Sequence, residues 1–154
     1  NSLLYINRNN AETKRYQEEG LKLLSGKVDS LPSKIAFRPK FIKQSSCIKV
    51  FDKLYLFISK ANIKKPLEER FDALFHEIGH WLHFQNIPPL KECREIWKTA
   101  NLEKIKEDVS EYAVKKDDGR EFVAEVFKGL IKGKKYDEYI MNLYKRLHGP
   151  VPHD

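Results

Sequence analysis

The chain has 154 residues, a formal net charge of +7, and a composition of 41% hydrophobic and 33% charged residues. This length suits one ordinary domain, so we predict a single domain over residues 1–154. No apolar run approaches the roughly 20 residues that cross a bilayer, which argues against a membrane-spanning protein. The lysines are scattered and mixed with 22 acidic residues, so nucleic acid is not expected to be the main partner.

The first predicted element is an amphipathic helix over residues 11–24, where apolar or long side chains recur at helical spacing ahead of Gly26. The character of the sequence then changes. β-Branched and aromatic residues fill residues 35–37, 47–51 and 54–58, and the polar break Asp52-Lys53 separates the last two runs. This pattern indicates a hairpin within a small, mainly antiparallel sheet.

A second helix is predicted over residues 67–84, because Pro66 suits a first helical turn and Pro88-Pro89 ends the pattern. Its apolar residues form one broad face, as in a helix packed against a core. The order of helix, sheet and then several helices indicates an α+β domain. Three further helices are predicted at residues 89–102, 119–131 and 136–147.

The second predicted helix carries the pattern HExxH, as His76-Glu77-Ile78-Gly79-His80. Residues four apart on a helix share one face, with Cβ atoms about 5–6 Å apart. Two imidazoles placed so can bind one Zn²⁺ ion. Glu77, about 100° around the helix, can reach a water on that ion and accept its proton. The sequence therefore predicts a zinc site with His76 and His80 as ligands and Glu77 as general base.

The alternative to a zinc site is a pair of surface histidines beside an incidental glutamate. With 5 histidines in the chain, chance alone would produce HExxH on the order of 1% of the time. The pattern also falls inside a predicted core helix, and the two imidazoles share a side of that helix away from Ile78 and Leu82. We therefore favour the metal site.

A zinc hydrolase usually provides three protein ligands and leaves the fourth position to water. His83 is one candidate for the third ligand, but it lies about 10 Å along the helix axis from His76, too far for one tetrahedral ion to join both easily. We expect His83 to be partly exposed or to stand behind the ligands. The metzincin pattern is excluded, because it requires glycine in place of His83 and histidine in place of Asn86.

Glu121 is the better candidate for the third ligand. Glu121 and Glu125 are four residues apart on a predicted helix, so both carboxylates project from one face. An acidic pair on a partly buried helix is costly unless it meets a cation or hydrogen-bond donors. One carboxylate that binds the metal, and one that accepts a hydrogen bond from the far side of a ligand imidazole, would provide these partners. The alternative is a solvated pair on an exposed face.

Two more segments follow HEIGH, namely VSEYA at residues 109–113 and REFVAE at residues 120–125. Together these segments resemble the anthrax lethal factor-like gluzincins, which include the Pro-Pro endopeptidases and zincin-like domains of phage and mobile-element proteins. The resemblance implies a zincin-like fold and zinc-dependent peptidase activity. It also implies site residues, with Glu77 as general base, Glu125 behind a ligand imidazole, and the metal bound by His76, His80 and Glu121.

The same resemblance implies that Tyr112 donates a hydrogen bond to the oxyanion of the reaction, which suits a phenol aimed at developing negative charge. The interval from Tyr112 to Glu121 is longer here than in that group. An inserted loop at residues 117–119 would absorb the difference. The substrate preference of named members does not carry over, because a shared fold does not fix a substrate.

The predicted function is a zinc-dependent endopeptidase acting on a peptide or protein substrate. Residues 54–58 are the predicted sheet edge along which an extended peptide would lie. Two alternatives remain, a zinc-stabilised binding or structural module of a toxin or phage particle, and a peptidase-like regulator acting near DNA. Glu77 favours the enzyme, because a binding module needs no general base. No helix-turn-helix or basic stripe supports the regulator.

Cys47 and Cys93 form no CxxC motif and are predicted to be partly buried free thiols, with one disulfide as the alternative. A monomer is favoured. The first residues show no signal-peptide pattern, so we expect either a leader already removed or a domain of a longer chain. A secreted protein, or a part of a larger and phage-derived one, is the expected setting.

Overall fold

The computed structural model of the protein describes residues 10–154, so residues 1–9 of the predicted domain lie outside it. One helix precedes a three-stranded sheet and five helices follow it, which confirms the predicted α+β class. The elements are α1 (Ala11–Leu24), β1 (Ala36–Arg38), β2 (Ser46–Val50), β3 (Lys53–Ser59), α2 (Asp72–Phe84), α3 (Leu90–Lys98), α4 (Leu102–Asp108), α5 (Arg120–Ile131) and α6 (Glu138–Arg146), with 3₁₀ helices at Lys60–Lys64 and Tyr112–Val114.

The sheet has the order β1-β3-β2, with β3 in the centre. β2 pairs antiparallel with β3 across the predicted hairpin, whereas β1 pairs parallel with β3 on the other side. The sheet is therefore mixed, and the predicted antiparallel pairing holds for the hairpin alone. The prediction that residues 54–58 form a sheet edge holds only in part, because residues 57–59 of β3 pair with β1 on one side, whereas residues 54–56 pair with β2 alone. The edge beside the HExxH helix is β2.

α1 begins at the predicted residue because Asn10 caps it. The Asn10 side chain accepts a hydrogen bond from the Thr13 amide, and the Thr13 hydroxyl accepts one from the Asn10 amide. Such a capping box satisfies two amides that have no partner within the helix. One turn later, the Tyr16 ring packs 4.8 Å from the Phe71 ring, which joins α1 to the start of α2.

α2 begins at Asp72, five residues later than predicted, and residues 67–71 form turns. The Arg70 carbonyl accepts a hydrogen bond from the Tyr16 hydroxyl at 2.8 Å, and the Arg70 Nε–H donates to the Lys65 carbonyl. The Tyr16 contact therefore engages a backbone carbonyl of this segment across the fold, and the Lys65 contact ties the Arg70 side chain to the segment before it. A pattern of apolar residues along the chain carries no signal for them.

The helix predicted over residues 89–102 ends earlier, as α3 at Lys98, and a further helix that was not predicted, α4, begins at Leu102. The Thr99 hydroxyl donates to the Ile96 carbonyl at 2.7 Å, and the Asn101 side chain accepts from the Lys104 amide. Asn101 thereby caps a new helix, as short polar side chains commonly do. α5 and α6 lie within two residues of their predicted bounds.

α2 and α5 pack against each other at the centre of the molecule. Leu74 and Ile78 of α2 are fully buried, as are Phe122 and Val126 of α5. Burial of each such side chain contributes about 1.5–3 kcal/mol. Gly79 lets the two helix axes approach closely, because a Cβ atom there would lie 3.2 Å from the Ala124 Cα atom.

Two further expectations concern the cysteines and the membrane. Cys47 is partly buried and Cys93 is buried, and both are free thiols, which confirms the prediction. Within residues 10–154, no helix combines the length and the apolar character that crossing a membrane requires.

Replacing Gly79 by alanine should push α5 away from α2 and weaken zinc binding. The new Cβ meets backbone of α5 at 3.2 Å and the Phe127 side chain at 3.1 Å. Overpacking of this kind costs about 1–3 kcal/mol, and the better helix propensity of alanine offsets roughly 1 kcal/mol of it. Urea unfolding measures the change in stability, and a zinc titration measures the change in zinc affinity.

Gly133→Ala is the matched control for Gly79→Ala. Gly133 has a φ of 86° and nothing near its absent Cβ atom, so this substitution strains the backbone without touching the α2–α5 contact. It should cost stability and leave zinc affinity unchanged. Equal zinc affinities for the Gly79→Ala variant and the native protein would show that the helix contact does not set the metal site.

Candidate metal centre

Three side chains from α2 and α5 converge in a cleft between these helices and β2. The Glu121 Oε1 atom lies 2.9 Å from His76 Nε2 and 2.8 Å from His80 Nε2. One ligand atom from each of the three residues lies within 4.8 Å of the others. The structure therefore brings together the three residues predicted to bind the metal.

The donor set fits a metal ion. His76 Nδ1 lies 2.8 Å from Glu125 Oε2, and with its proton on Nδ1 the ring donates there and turns the Nε2 lone pair toward Glu121. The Glu121 oxygen is also an acceptor, so the contact needs a positive charge, either protons on the imidazoles or a metal ion. Two imidazole nitrogens and one carboxylate oxygen are ligands that catalytic zinc sites use.

The electrostatics of this centre favour positive charge. Burial opposes a charge on His76, but its hydrogen bonds to Glu121 and Glu125 outweigh burial and raise the His76 pKa to about 9. Burial acts to raise the pKa values of the two carboxyls, yet contact with the imidazoles holds the pKa of Glu121 far below its ordinary range. The pKa of Glu125 is lowered to about 2 by the same kind of contact. A cation that binds here competes with protons for the rings.

Glu125 contacts the Nδ1 side of His76, away from Glu121, and is itself held in place. The Ser110 hydroxyl donates to Glu125 Oε1 at 2.8 Å, and the Lys128 Nζ atom lies 3.0 Å from Glu125 Oε2. Sequence reasoning assigned no role to Ser110 or Lys128, although Ser110 stands in the VSEYA segment. His80 differs from His76, because its buried Nδ1 atom has no hydrogen-bond partner among residues 10–154.

Glu77 is buried beside the cluster and contributes no ligand atom to it. Its pKa is raised by burial, against the opposing fields of His76 and His80. A carboxylate with a raised pKa is better suited to accept a proton than an ordinary one. The position agrees with the role predicted for Glu77, which stays a prediction.

Arg38 is a residue of the cleft that sequence reasoning missed. It is buried on β1, and its guanidinium donates to the Gln44 carbonyl at 2.8 Å and to the Ser46 hydroxyl at 2.9 Å. These bonds hold the start of β2 as the wall opposite α2. The positive charge of Arg38 also acts on Glu77 in the sense that lowers the Glu77 pKa. No sequence motif includes Arg38, so only its contacts in the folded protein identify it.

Tyr112 lies at the mouth of the cleft, with its ring 5.4 Å from the His76 ring and 46% of the residue exposed. Between Tyr112 and Glu121 the chain turns at residues 117–119. There the buried Asp118 side chain accepts from the Arg120 amide at 3.1 Å, and Gly119 adopts a φ of 79° before α5 begins. The role of Tyr112 as an oxyanion donor stays a prediction.

His83 does not approach the cluster, and the expectation that it is partly exposed is wrong. Its side chain is buried, and its Nε2–H donates to the Leu147 carbonyl at 2.7 Å. His83 therefore joins the end of α2 to the end of α6. The partner is a backbone carbonyl 64 residues away, which sequence spacing does not reveal.

The cleft extends to both sides of the cluster. A cavity of about 330 Å³ opens beside His80 and Glu121, and one of about 430 Å³ opens beside Glu125. His76, Glu77 and Tyr112 line both cavities, so the predicted catalytic groups stand where the two meet. An extended chain lying in the cleft would pass directly over them.

Comparison of the chain with protein-family models, with curated proteins and with solved structures gave no match. The functional assignment therefore rests on the geometry of the cleft.

Zinc content tests the proposed ligands. Glu121→Gln keeps the size of the side chain but removes the anionic ligand, so the purified variant should lose stoichiometric zinc. Glu125→Gln should retain the ligands and weaken zinc affinity by about 10–100-fold, the usual effect of losing a group that orients a ligand. Elemental analysis and competition with a chelator provide the measurements.

His83→Gln is the matched control for Glu121→Gln, because it changes a buried residue of α2 that does not face the cluster. It should retain zinc. Loss of zinc in His83→Gln but not in Glu121→Gln would contradict the assignment of the ligands.

His83 should also contribute to the pH dependence of stability. Burial lowers its pKa to about 4, whereas the unfolded chain has an ordinary histidine pKa of about 6.5. Between these values the unfolded state binds more protons, so stability is complete above about 6.5 and falls as pH drops toward 4. His83→Gln, which keeps a donor for the Leu147 carbonyl, should remove on the order of 3 kcal/mol from this dependence. If the free energy of unfolding changes with pH by the same amount in both proteins over this range, the contribution assigned to His83 is refuted.

Proposed function

We propose that the protein is a zinc-dependent endopeptidase in which Glu77 is the general base and the metal is bound by His76, His80 and Glu121. The observation that carries the proposal is the convergence of both HExxH imidazoles on a carboxylate from a different helix. A second buried carboxylate, with a raised pKa, stands beside that point in an open cleft.

A Zn²⁺ ion bound at this point supplies a Lewis acid for a carbonyl and acidifies water. Glu77 accepts a proton from the attacking water and later delivers it to the leaving amine. Its burial among His76, His80 and Arg38 suits both steps, because a carboxyl whose pKa is raised gives up a proton less readily than an ordinary one and so can hold it between the two transfers.

In this proposal Tyr112 donates a hydrogen bond to the negative oxygen that forms when the carbonyl is attacked. Burial raises the pKa of its phenol, and the charges of Glu121 and Glu77 raise it further. The phenol therefore stays protonated, and remains a donor, throughout the neutral pH range. Its edge-on contact with the His76 ring fixes its position relative to the cluster.

β2 gives the substrate a place to bind. It is an edge strand, and residues 44–47 at its start line the cleft opposite α2. An extended peptide can add to such an edge by main-chain hydrogen bonds, which are independent of its sequence. This edge replaces the one at residues 54–58 that the sequence had suggested.

A zinc-stabilised binding module is the alternative function. Structural zinc sites are usually closed by four protein ligands, whereas catalytic ones keep a position open. The cluster in the described part of the chain has three ligand residues and borders a cleft, which favours catalysis.

Glu77→Gln should abolish peptide cleavage and leave zinc bound. Loss of a general base lowers the rate by about 10²–10⁴-fold, and glutamine keeps the shape of the side chain. Tyr112→Phe should lower kcat by about 10²-fold with little change in KM, because the phenol is proposed to act on the transition state. Mass spectrometry of a diverse peptide library, incubated with the zinc-loaded proteins, measures the cleavage.

Equal cleavage patterns for the native protein and Glu77→Gln would overturn the proposal, as would the absence of any cleavage by the zinc-loaded native protein. Zinc content measured on the same samples ensures that lost activity is not lost metal.

A further inference from the structure

The cleft is lined by positive charge on both sides of the metal ligands. Lysines line both cavities of the cleft, and most of them are not neutralised. Four have no carboxylate partner among residues 10–154, namely Lys43, Lys65, Lys115 and Lys116. Lys128 is the exception, because it pairs with Glu125. A chain that crosses the cleft therefore meets cations at each end of its bound segment.

Arg120 is held between a buried carboxylate and an aromatic ring. Its Nε–H donates to Asp118 Oδ2 at 2.9 Å, and its guanidinium carbon lies 5.9 Å from the centre of the Phe84 ring. Asp118 is buried and also binds the Arg120 amide, so the carboxylate is fixed in turn. These contacts orient the guanidinium but leave its Nη1 and Nη2 groups without a hydrogen-bond partner among residues 10–154.

We propose that Arg120 binds a carboxylate of the substrate, and hence that the cleft selects acidic peptides. The planar guanidinium fork matches the two oxygens of a carboxylate, and it is more weakly hydrated than an ammonium group. The carboxylate belongs either to an Asp or Glu side chain or to the C-terminus of the peptide. The inference rests on the proposed peptidase function and deepens it.

The position of Arg120 puts the bound carboxylate in the same cavity as the proposed ligands His80 and Glu121. Arg120 directly precedes the ligand Glu121 at the start of α5, and it lines the same cavity as His80 and Phe84. The Phe84 ring stacks on the His80 ring, with 6.0 Å between their centres. The guanidinium, Phe84 and His80 thus follow one another along one wall of the cleft.

The local charge balance supports binding of an anion. Asp118 offsets part of the charge of Arg120, and Glu77 and Glu121 also line this cavity, but Lys115 and Lys116, just before the turn at residues 117–119, bring two further positive charges to it. The neighbouring acidic residue Asp117 lines a different cavity. Because the Arg120 side chain is 31% exposed, its hydrogen bonds with a ligand are less screened than those of a fully solvated pair.

Binding of small carboxylates tests the inference apart from catalysis. Zinc-loaded protein is titrated with N-acetylglutamine, which has only an α-carboxylate, and with N-acetylisoglutamine, which has only a side-chain carboxylate. The diamide of N-acetylglutamate is the uncharged control. The ¹⁵N resonance of Arg120 Nε should shift to saturation with at least one carboxylate, which identifies its source, and should not shift with the diamide.

Arg120→Gln should weaken binding of that carboxylate by about 10–100-fold, the usual effect of losing charged hydrogen bonds. Arg146→Gln, which removes one charge from the exposed face of α6, should bind it as the native protein does. Unchanged affinity in Arg120→Gln would show that the carboxylate binds the metal or the lysines, and would overturn the inference. The resonance shift in the native protein answers the question even if Arg120→Gln folds poorly.

Cleavage provides the second measurement. Peptides identified from the library are compared with versions in which Asp and Glu become Asn and Gln, and in which the C-terminus is amidated. Arg120→Gln should lower kcat/KM about tenfold for acidic peptides only. An equal loss for all peptides would overturn the inference. If Arg120 binds the carboxylate but no peptide is cleaved, the peptidase function fails and the carboxylate site stands.

Discussion

The close contact between α2 and α5 is the constraint on which the site depends. α2 carries His76 and His80, and α5 carries Glu121, so neither helix holds enough ligands alone. Their axes approach because Gly79 has no side chain where α5 passes, and fully buried apolar residues on both helices hold them there. The same rigid packing that forms the core thereby fixes the distance between imidazole and carboxylate.

Hydrogen bonds then turn this packing into a defined chemical arrangement. Ser110 and Lys128 fix Glu125, and Glu125 fixes the ring of His76. Such support behind a ligand sets which ring nitrogen carries the proton and holds the lone pair in one direction. Glu77 is outside this chain of contacts: none of residues 10–154 donates a hydrogen bond to its carboxylate, and burial raises its pKa. Carboxyls with lowered pKa values and one with a raised pKa thus follow from different surroundings within one cleft.

Sequence periodicity predicted the parts of the fold that local patterns control. The bounds of α1, the hairpin of β2 and β3, and the helices α5 and α6 follow from apolar spacing, and the spacing of HExxH and of Glu121 with Glu125 predicted which groups would meet. What periodicity missed depends on distant partners. The parallel pairing of β1, the late start of α2 and the burial of His83 each require a contact across the fold. The split between α3 and α4 depends on the single cap at Asn101.

Leu147 connects parts of the molecule that are far apart in sequence. Its carbonyl accepts the hydrogen bond from His83 at the end of α2, and its side chain packs against the turn at Gly119 from which α5 starts. One residue near the last helix therefore braces both helices that supply ligands. A chain that ends before Leu147 retains every proposed ligand and the proposed general base. It lacks the contacts that hold the end of α2 and the start of α5 in position. The geometry of the cluster therefore depends in part on a residue that follows the last helix.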